Sequence, residues 1–202
     1  MRTYLCLLIA LTVAVVPFPT PLTYGLAAHV PSTPQRARVI GYERDAFGPG
    51  WAPAPGGCDT RSALMAAAFG AASCGRRETL SASPITDPYT GSPLDPAEVE
   101  IDHVYPLAAA WDLGAHAWSA DKRVAFANDP RNLVVTSAKA NREKSDHLPS
   151  EWLPPRRRAH CPYARQLVAV AQAYGLALPR ADARAARRAC AGLRGVLSDR
   201  AL

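Results

Sequence analysis

The chain has 202 residues, 49% of them hydrophobic, which predicts a single domain with a hydrophobic core, alone or with a short appendage. Its formal charge of +6 depends on arginine, because Lys122, Lys139 and Lys144 are the lysines of the chain. The excess of basic over acidic residues is strongest over residues 156–202, which contain ten arginines and two aspartates. This balance favours polyanionic partners such as nucleic acid or an anionic surface, and a solvated basic helix face without a ligand is the alternative.

The N-terminus has the pattern of an export signal. Arg2 precedes an apolar run, "LCLLIALTVAVV", at residues 5–16. The run is shorter than the roughly 20 residues of a membrane span. Small residues at Gly25 and Ala27 predict cleavage there, so residues 1–27 are interpreted as a signal peptide. We therefore expect a secreted, extracellular protein without stable membrane association after cleavage, and an uncleaved anchor is the alternative.

Export changes the interpretation of the cysteines. Four remain after the signal, and an even number in an exported chain predicts two disulfides: Cys58, Cys74, Cys161 and Cys190. Three pairings satisfy this number, and the simplest joins Cys58 to Cys74 and Cys161 to Cys190. The sequence has no C-x-x-C spacing, which argues against a zinc ribbon.

The elements follow in chain order. Residues 28–37 are polar and proline-containing and predict a flexible lead, followed by a domain at 38–193 and a tail at 194–202. A short strand is predicted to end near Tyr42. The alanine-rich stretch that begins at Cys58 predicts a helix, which Asp59 or Thr60 caps and Gly70 ends. "SPITDPYTGSPLDP" predicts turns at a hairpin tip.

The second half alternates strands and helices. "EVEI" predicts a strand that delivers Asp102 and His103 at its end, and "NLVVT" predicts a second strand. Helices are predicted over residues 107–113, 119–127, 137–146, 161–174 and 179–193. The tryptophans other than Trp51 are assigned to the core, and the remaining histidines to the surface: Trp111, Trp118, Trp152, His116, His147 and His160.

Two stretches, "EIDHVYPL" and "DPRNLVVTSAKANREKSDHLPSEW", resemble the HNH nucleases in the order of their acid, histidine and asparagines. The resemblance extends to secreted bacterial HNH proteins of the DUF1524, or GmrSD C-terminal-like, type through "CDTRSALM", "DPYTG", "FANDPRNL" and "EWLPP". It covers residues 38–193. It implies an α+β fold in which a ββα-metal (HNH, His-Me finger) core at about residues 98–146 is surrounded by helices in a small disulfide-stabilised domain.

The resemblance also implies roles for single residues. Asp102 and Asn141 are expected to ligate a divalent ion, His103 to act as general base, and Asn132 to brace the loop that orients this histidine. Neutral imidazole suits the base at physiological pH. Many HNH proteins carry a histidine where this chain has Asn141, and an oxygen ligand there favours Mg²⁺, with Mn²⁺ as the second choice, over zinc.

Three basic residues are candidates for contacts with substrate phosphate, although a solvated side chain is an equal interpretation of each: Lys144, Arg142 and Arg61.

The predicted function is a secreted metal-dependent endonuclease that acts on DNA, in preference to RNA, with little sequence specificity. We expect a monomer, and the sequence identifies no inhibitor protein. The alternative is a non-catalytic exported nucleic-acid-binding module that retains the ββα fold.

Overall fold

The computed structural model describes residues 4–6, 30–70 and 83–191. Most of the predicted signal peptide, Cys74 and the tail at 194–202 lie outside the described residues. Within the described part of the chain, no helix is long and apolar enough to span a membrane.

The described residues form an α+β domain of short strands and six α-helices. The strands are β1 Ser32–Thr33, β2 Pro53–Ala54, β3 Cys58–Asp59, β4 Ile85–Thr86, β5 Pro93–Leu94, β6 Val99–His103, β7 Leu133–Ser137 and β8 Leu178–Pro179. The helices are α1 Thr60–Ala68, α2 Leu107–Asp112, α3 Ala120–Ala127, α4 Ala138–Lys144, α5 His160–Tyr174 and α6 Arg180–Ala189. The predicted helices and the two predicted strands of the second half are therefore confirmed, with ends shifted by a few residues.

The longest strands form a two-stranded antiparallel sheet. In this sheet β6 pairs with β7, Val99 lying opposite Ser137 and His103 opposite Leu133. Helix α4 follows β7 directly, because the Ser137 side chain caps it by accepting a hydrogen bond from the Ala140 backbone N–H at 3.3 Å. The remaining sheets are two-stranded as well: β1 with β8, β2 with β3, and β4 with β5.

Two apolar clusters hold the elements together. The larger one joins α2, α3, α5 and α6 around fully buried side chains such as Tyr105, Phe126 and Leu167. The smaller one packs α1 against one face of β6, where Val99 and Ile101 contact it. Trp111, Trp118 and Trp152 pack, partly buried, against the larger cluster, which agrees with their assignment to the core.

The N-terminal lead differs from its prediction. Residues 32–33 form β1 rather than flexible chain, and they pair in parallel with Leu178 and Pro179 of β8. Arg36 is anchored as well, since its guanidinium contacts Asp112 at 2.7 Å and Asp146 at 2.8 Å. These non-local partners order the segment. The strand predicted near Tyr42 is wrong, because residues 38–42 are irregular and have no strand to pair with.

One predicted disulfide is present in full among the described residues. Cys161 and Cys190 are bonded to each other and link α5 to the end of α6. Cys58 is also disulfide-bonded, and Cys74, its partner in the simplest predicted pairing, lies outside the described residues.

Candidate functional site

Asp102 lies near the end of β6 with both carboxylate oxygens engaged. Its Oδ1 accepts a 2.8 Å hydrogen bond from the Lys144 ammonium, and its Oδ2 accepts a 2.7 Å bond from the Tyr89 hydroxyl. Only 3% of the residue is exposed. A buried carboxylate is costly unless it is paired, and these two donors compensate that cost.

The Lys144 side chain contacts Asp102, whereas the sequence made it a candidate for contact with substrate phosphate. The side chain comes from the last turn of α4, is 0% exposed, and donates to Asp102 and to the His103 backbone carbonyl, both at 2.8 Å. Burial lowers the pKa of the Lys144 ammonium, while the adjacent Asp102 carboxylate opposes this change. A buried ammonium that is held in this way faces Asp102 rather than a substrate phosphate.

Tyr89 belongs to the "DPYTG" turn between β4 and β5. The sequence favours a plain turn for this segment and leaves its approach to the site as the alternative. Asp87 builds the turn by accepting hydrogen bonds from the Tyr89 backbone N–H and the Thr136 hydroxyl, both at 2.8 Å. The Tyr89 ring packs edge-on against Trp152 and Tyr163. The turn therefore places a phenol against Asp102.

His103 points to the opposite face of β6 from Asp102, as strand alternation requires. Its ring stacks on Trp51, with the ring centroids 5.8 Å apart and the planes inclined by 5°. Its Nε2 lies 2.8 Å from the Ala127 carbonyl oxygen. Because a carbonyl only accepts, Nε2 carries the proton, and Nδ1 of the neutral ring is the hydrogen-bond acceptor.

The protonation state of His103 follows from its burial. Desolvation lowers the pKa of this imidazole to about 4, and the hydrogen bond to Ala127 opposes the change. The ring is therefore neutral at physiological pH. A neutral ring with a free Nδ1 has the chemistry of a general base.

Asn132 ends the 3₁₀ turn immediately before β7 and is fully buried. Its Oδ1 accepts from the Tyr105 N–H at 2.8 Å, and its Nδ2 donates to the Tyr105 carbonyl at 3.2 Å. Its own carbonyl accepts from the Val104 N–H at 2.8 Å. These three bonds fix the backbone that leaves His103.

Asn141, on α4, contacts Glu100 rather than Asp102. Its Nδ2 donates to Glu100 Oε2 at 2.8 Å, and Arg142 donates to Glu100 Oε1 at 2.9 Å. Burial raises the pKa of the Glu100 carboxyl, but the bonds from Asn141 and Arg142 outweigh burial and lower it. Sequence reasoning missed Glu100, although its position two residues before Asp102 places both carboxylates on one face of the strand.

Of the basic candidates, Arg142 is the most accessible, with 76% of its side chain exposed beside Glu100. Arg61, from the first turn of α1, donates to the Val99 carbonyl at 3.2 Å and so lies at the beginning of β6. The structure thus gathers Arg61, Arg142, Asn141 and Glu100 around the strand pair, with Asp102 and Lys144 further along the same strand and helix.

The donor set fits a hard divalent ion by its chemistry. The Asn141 amide is turned by Glu100 so that Oδ1 remains as a neutral oxygen donor, and each Asp102 oxygen accepts one hydrogen bond and keeps a second acceptor position. Within the described ranges no group of three or more His, Cys, Asp or Glu side chains is arranged around a metal position. An ion here would rely on water and substrate oxygens for its remaining ligands.

Fold and site together define a small α+β domain with a buried acid–histidine pair at a strand end. The chain belongs to the family of the C-terminal domains of GmrSD restriction endonucleases, which matches residues 69–185. It is also similar to an "Uncharacterized secreted protein" of Arthroderma benhamiae, with 32% identity over 196 residues that span 89% of this chain and 93% of that protein. No solved structure matches the chain. The family is nuclease-related, and the relative is a secreted protein.

Proposed function

We propose that this chain is a secreted, metal-dependent HNH endonuclease that hydrolyses phosphodiester bonds in DNA with little sequence specificity. In this proposal residues 1–27 are a cleaved signal peptide, and β6, β7 and α4 are the ββα-metal core. The nuclease-related family and the secreted relative support the two parts of the proposal.

The state of His103 is the observation that carries the proposal. Its Nε2–H is held by the Ala127 carbonyl, its ring is neutral at physiological pH, and its Nδ1 is left to accept a proton. Attack on phosphorus needs water that loses a proton as the new P–O bond forms. Nδ1 accepts this proton, and Asn132 keeps the histidine in place through the backbone of Tyr105.

Asp102 and Asn141 would hold the ion, Mg²⁺ or Mn²⁺. When bound, a divalent ion there would stabilise the negative charge that develops on the phosphoryl group and on the departing oxygen. Glu100 orients the Asn141 amide, and Tyr89 and Lys144 position the Asp102 carboxylate. As the water oxygen bonds to phosphorus, the bond from phosphorus to the 3′ oxygen breaks and the departing oxygen takes a proton from solvent water, which leaves a 5′-phosphate and a 3′-hydroxyl.

The second candidate is a non-catalytic nucleic-acid-binding module of the same fold. One observation favours it: the Asp102 carboxylate already has a cationic partner, Lys144, at 2.8 Å. A permanent ion pair of this kind would reduce the need for a metal at the strand end.

Plasmid cleavage distinguishes the two candidates. The purified exported protein, with its disulfides formed, is incubated with plasmid DNA and with RNA in Mg²⁺, Mn²⁺ or EDTA. His103→Ala is compared with His116→Ala, which changes an exposed histidine whose Nδ1 bonds to the Trp111 carbonyl and whose ring meets the Trp111 ring edge-on. We expect cleavage that EDTA abolishes, His103→Ala loses and His116→Ala retains.

Two other outcomes contradict the proposal in different ways. A folded protein that cleaves neither DNA nor RNA, but binds them, supports the module. Cleavage that persists in His103→Ala would place the base elsewhere and overturn the assignment of this residue.

A further inference from the structure

We propose that Arg156, Arg157 and Arg158, named here the arginine ridge, dock the phosphate backbone of the nucleic acid that this site acts on. The inference rests on the proposed function and adds how the polymer is held. The ridge follows Pro154 and Pro155 and enters the 3₁₀ turn Arg157–Ala159 that leads into α5.

The ridge is attached to the turn that supports Asp102. The Arg156 backbone N–H donates to the Tyr89 carbonyl at 3.0 Å, and the hydroxyl of the same tyrosine contacts Asp102 at 2.7 Å. One residue, Tyr89, therefore bridges the ridge and the candidate site. The backbone of the ridge is thus held one residue away from the Asp102 carboxylate.

Gly91 gives the ridge a fixed position on the turn. A Cβ at this glycine would stand 2.8 Å from Arg156 Cδ, so the arginine stem occupies the space that any other residue would need. The backbone φ of 76° at Gly91 also favours glycine. The Arg156 side chain thus runs over the turn rather than freely into solvent.

The charge of the ridge is uncompensated. All three arginines are exposed, and no ion pair between described residues involves any of them. Arg142, by contrast, is neutralised by Glu100. Guanidinium groups bind phosphate through paired N–H donors, and adjacent arginines match a polyanion whose charges repeat along a backbone.

A second basic surface provides a matched comparison. Arg180, Arg184 and Arg187 lie on the exposed face of α6, opposite buried alanines, and they also lack ion pairs among the described residues. Helix α6 packs against α5, β8 and β1. Because the two surfaces carry the same number of arginines at different places, a comparison of their variants distinguishes docking at the ridge from general electrostatic attraction.

The test measures binding of the full-length exported protein to a short fluorescein-labelled DNA duplex by anisotropy, in EDTA and over a series of salt concentrations. The ridge triple variant R156Q/R157Q/R158Q is compared with R180Q/R184Q/R187Q. We expect the ridge variant to lose about tenfold or more in affinity and to reduce the salt slope by up to about 3, since each lost phosphate contact contributes roughly 0.9. The α6 variant is expected to stay within about twofold of wild type.

The contradicting outcomes are equal losses in the two variants, no loss in the ridge variant, or binding of wild type to phosphatidylserine vesicles but not to DNA. Because Arg156 packs on Gly91, a second comparison uses R157Q/R158Q and R184Q/R187Q, which leave that contact unaltered.

Failure of the proposed function is detected by a separate measurement. Hydrolysis of bis(4-nitrophenyl) phosphate by wild type in Mg²⁺ or Mn²⁺ reports the nuclease chemistry on a substrate that needs no docked polymer. A wild type whose DNA binding depends on the ridge, but which hydrolyses neither this ester nor DNA, retains the ridge and loses the nuclease.

Discussion

The Tyr89 hydroxyl donates a 2.7 Å hydrogen bond to Asp102 Oδ2 inside the protein. Tyr89→Phe removes a donor from a buried carboxylate, so we expect the free energy of unfolding to fall by about 1–3 kcal/mol. Any nuclease activity should fall as well, because Asp102 loses one of the two groups that position it. Urea unfolding and plasmid cleavage measure the two effects.

Tyr163→Phe is the control for this prediction. Tyr163 is as buried as Tyr89, but its hydroxyl has no hydrogen-bond partner among the described residues. Removing it should leave stability unchanged or slightly higher. Equal destabilisation by the two variants would mean that ring packing, rather than the bond to Asp102, is what Tyr89 contributes.

Lys144 and Asp102 form a fully buried ion pair. Lys144→Met leaves the Asp102 carboxylate with Tyr89 as its remaining partner, and the loss of one member of such a pair costs about 3–5 kcal/mol. Adding Asp102→Asn should recover part of this loss, because the unpaired charge disappears. Chemical denaturation of the two single variants and the double variant gives the coupling energy.

The exposed pair of Arg142 and Glu100 is the comparison for the buried pair. Arg142→Met should cost no more than about 1 kcal/mol, because solvent screens this contact. A similar cost for Lys144→Met would show that Asp102 does not depend on the ammonium.

The Cys161–Cys190 disulfide closes a loop with a sequence separation of 29. Loop-closure entropy predicts that Cys161→Ala/Cys190→Ala lowers the free energy of unfolding by about 3–4 kcal/mol. Thermal unfolding by circular dichroism tests the prediction. An unchanged melting temperature would mean that the packing of α5 against α6 suffices without the bond.

The Asp87 carboxylate makes the free energy of unfolding depend on pH. Burial raises the pKa of its carboxyl, but the bonds from Thr136, Tyr89 and Ser137 outweigh burial and hold the pKa below the ordinary value of 3.8. A carboxyl with a depressed pKa in the folded state stabilises above its unfolded pKa, and this contribution is lost as the pH falls through the folded value. Asp87→Asn should therefore cost about 2 kcal/mol at neutral pH.

The stability difference between wild type and Asp87→Asn should narrow below about pH 4, where the unfolded carboxyl is protonated, and disappear at lower pH. Unfolding by urea across this range measures it, with the exposed Asp121→Asn as a control that should stay near wild type throughout. A difference that does not change with pH would mean that the Asp87 carboxylate charge does not stabilise the turn.

Much of the local structure was predictable, because it depends on contacts within a few residues. Asp59 caps α1 by accepting from the Ser62 N–H at 2.6 Å, and Ser119 caps α3 through the Lys122 N–H. The alternation of β6 also followed from the sequence, including the opposite directions of Asp102 and His103. The predicted strand near Tyr42 failed because a strand needs a partner, and β-branched residues alone do not provide one.

The contacts of the candidate site were not predictable in the same way. Lys144 was expected either to contact substrate phosphate or to be solvated, and it meets Asp102 across 42 residues of sequence. Trp51 stacks on His103 from a loop that carries no signal of this contact. The position of Glu100 could have been predicted, because the two-residue period of a strand places it on the same face as Asp102. Its hydrogen bond with Asn141 depends on how α4 packs.

The sequence by itself determined the kinds of chemical groups present, their order along the chain, and the strands and helices that carry them. Hydrogen-bonding capacity, periodicity and capping are properties of a residue and its near neighbours, so they can be read without the fold. Tertiary structure alone decided which groups are buried and which partners they meet. Three features arise only when segments that are distant in the sequence pack together and exclude water: the burial of Lys144, the neutral state of His103 and the hydrogen bond from Tyr89 to Asp102. A local sequence pattern does not show which distant segments will pack together.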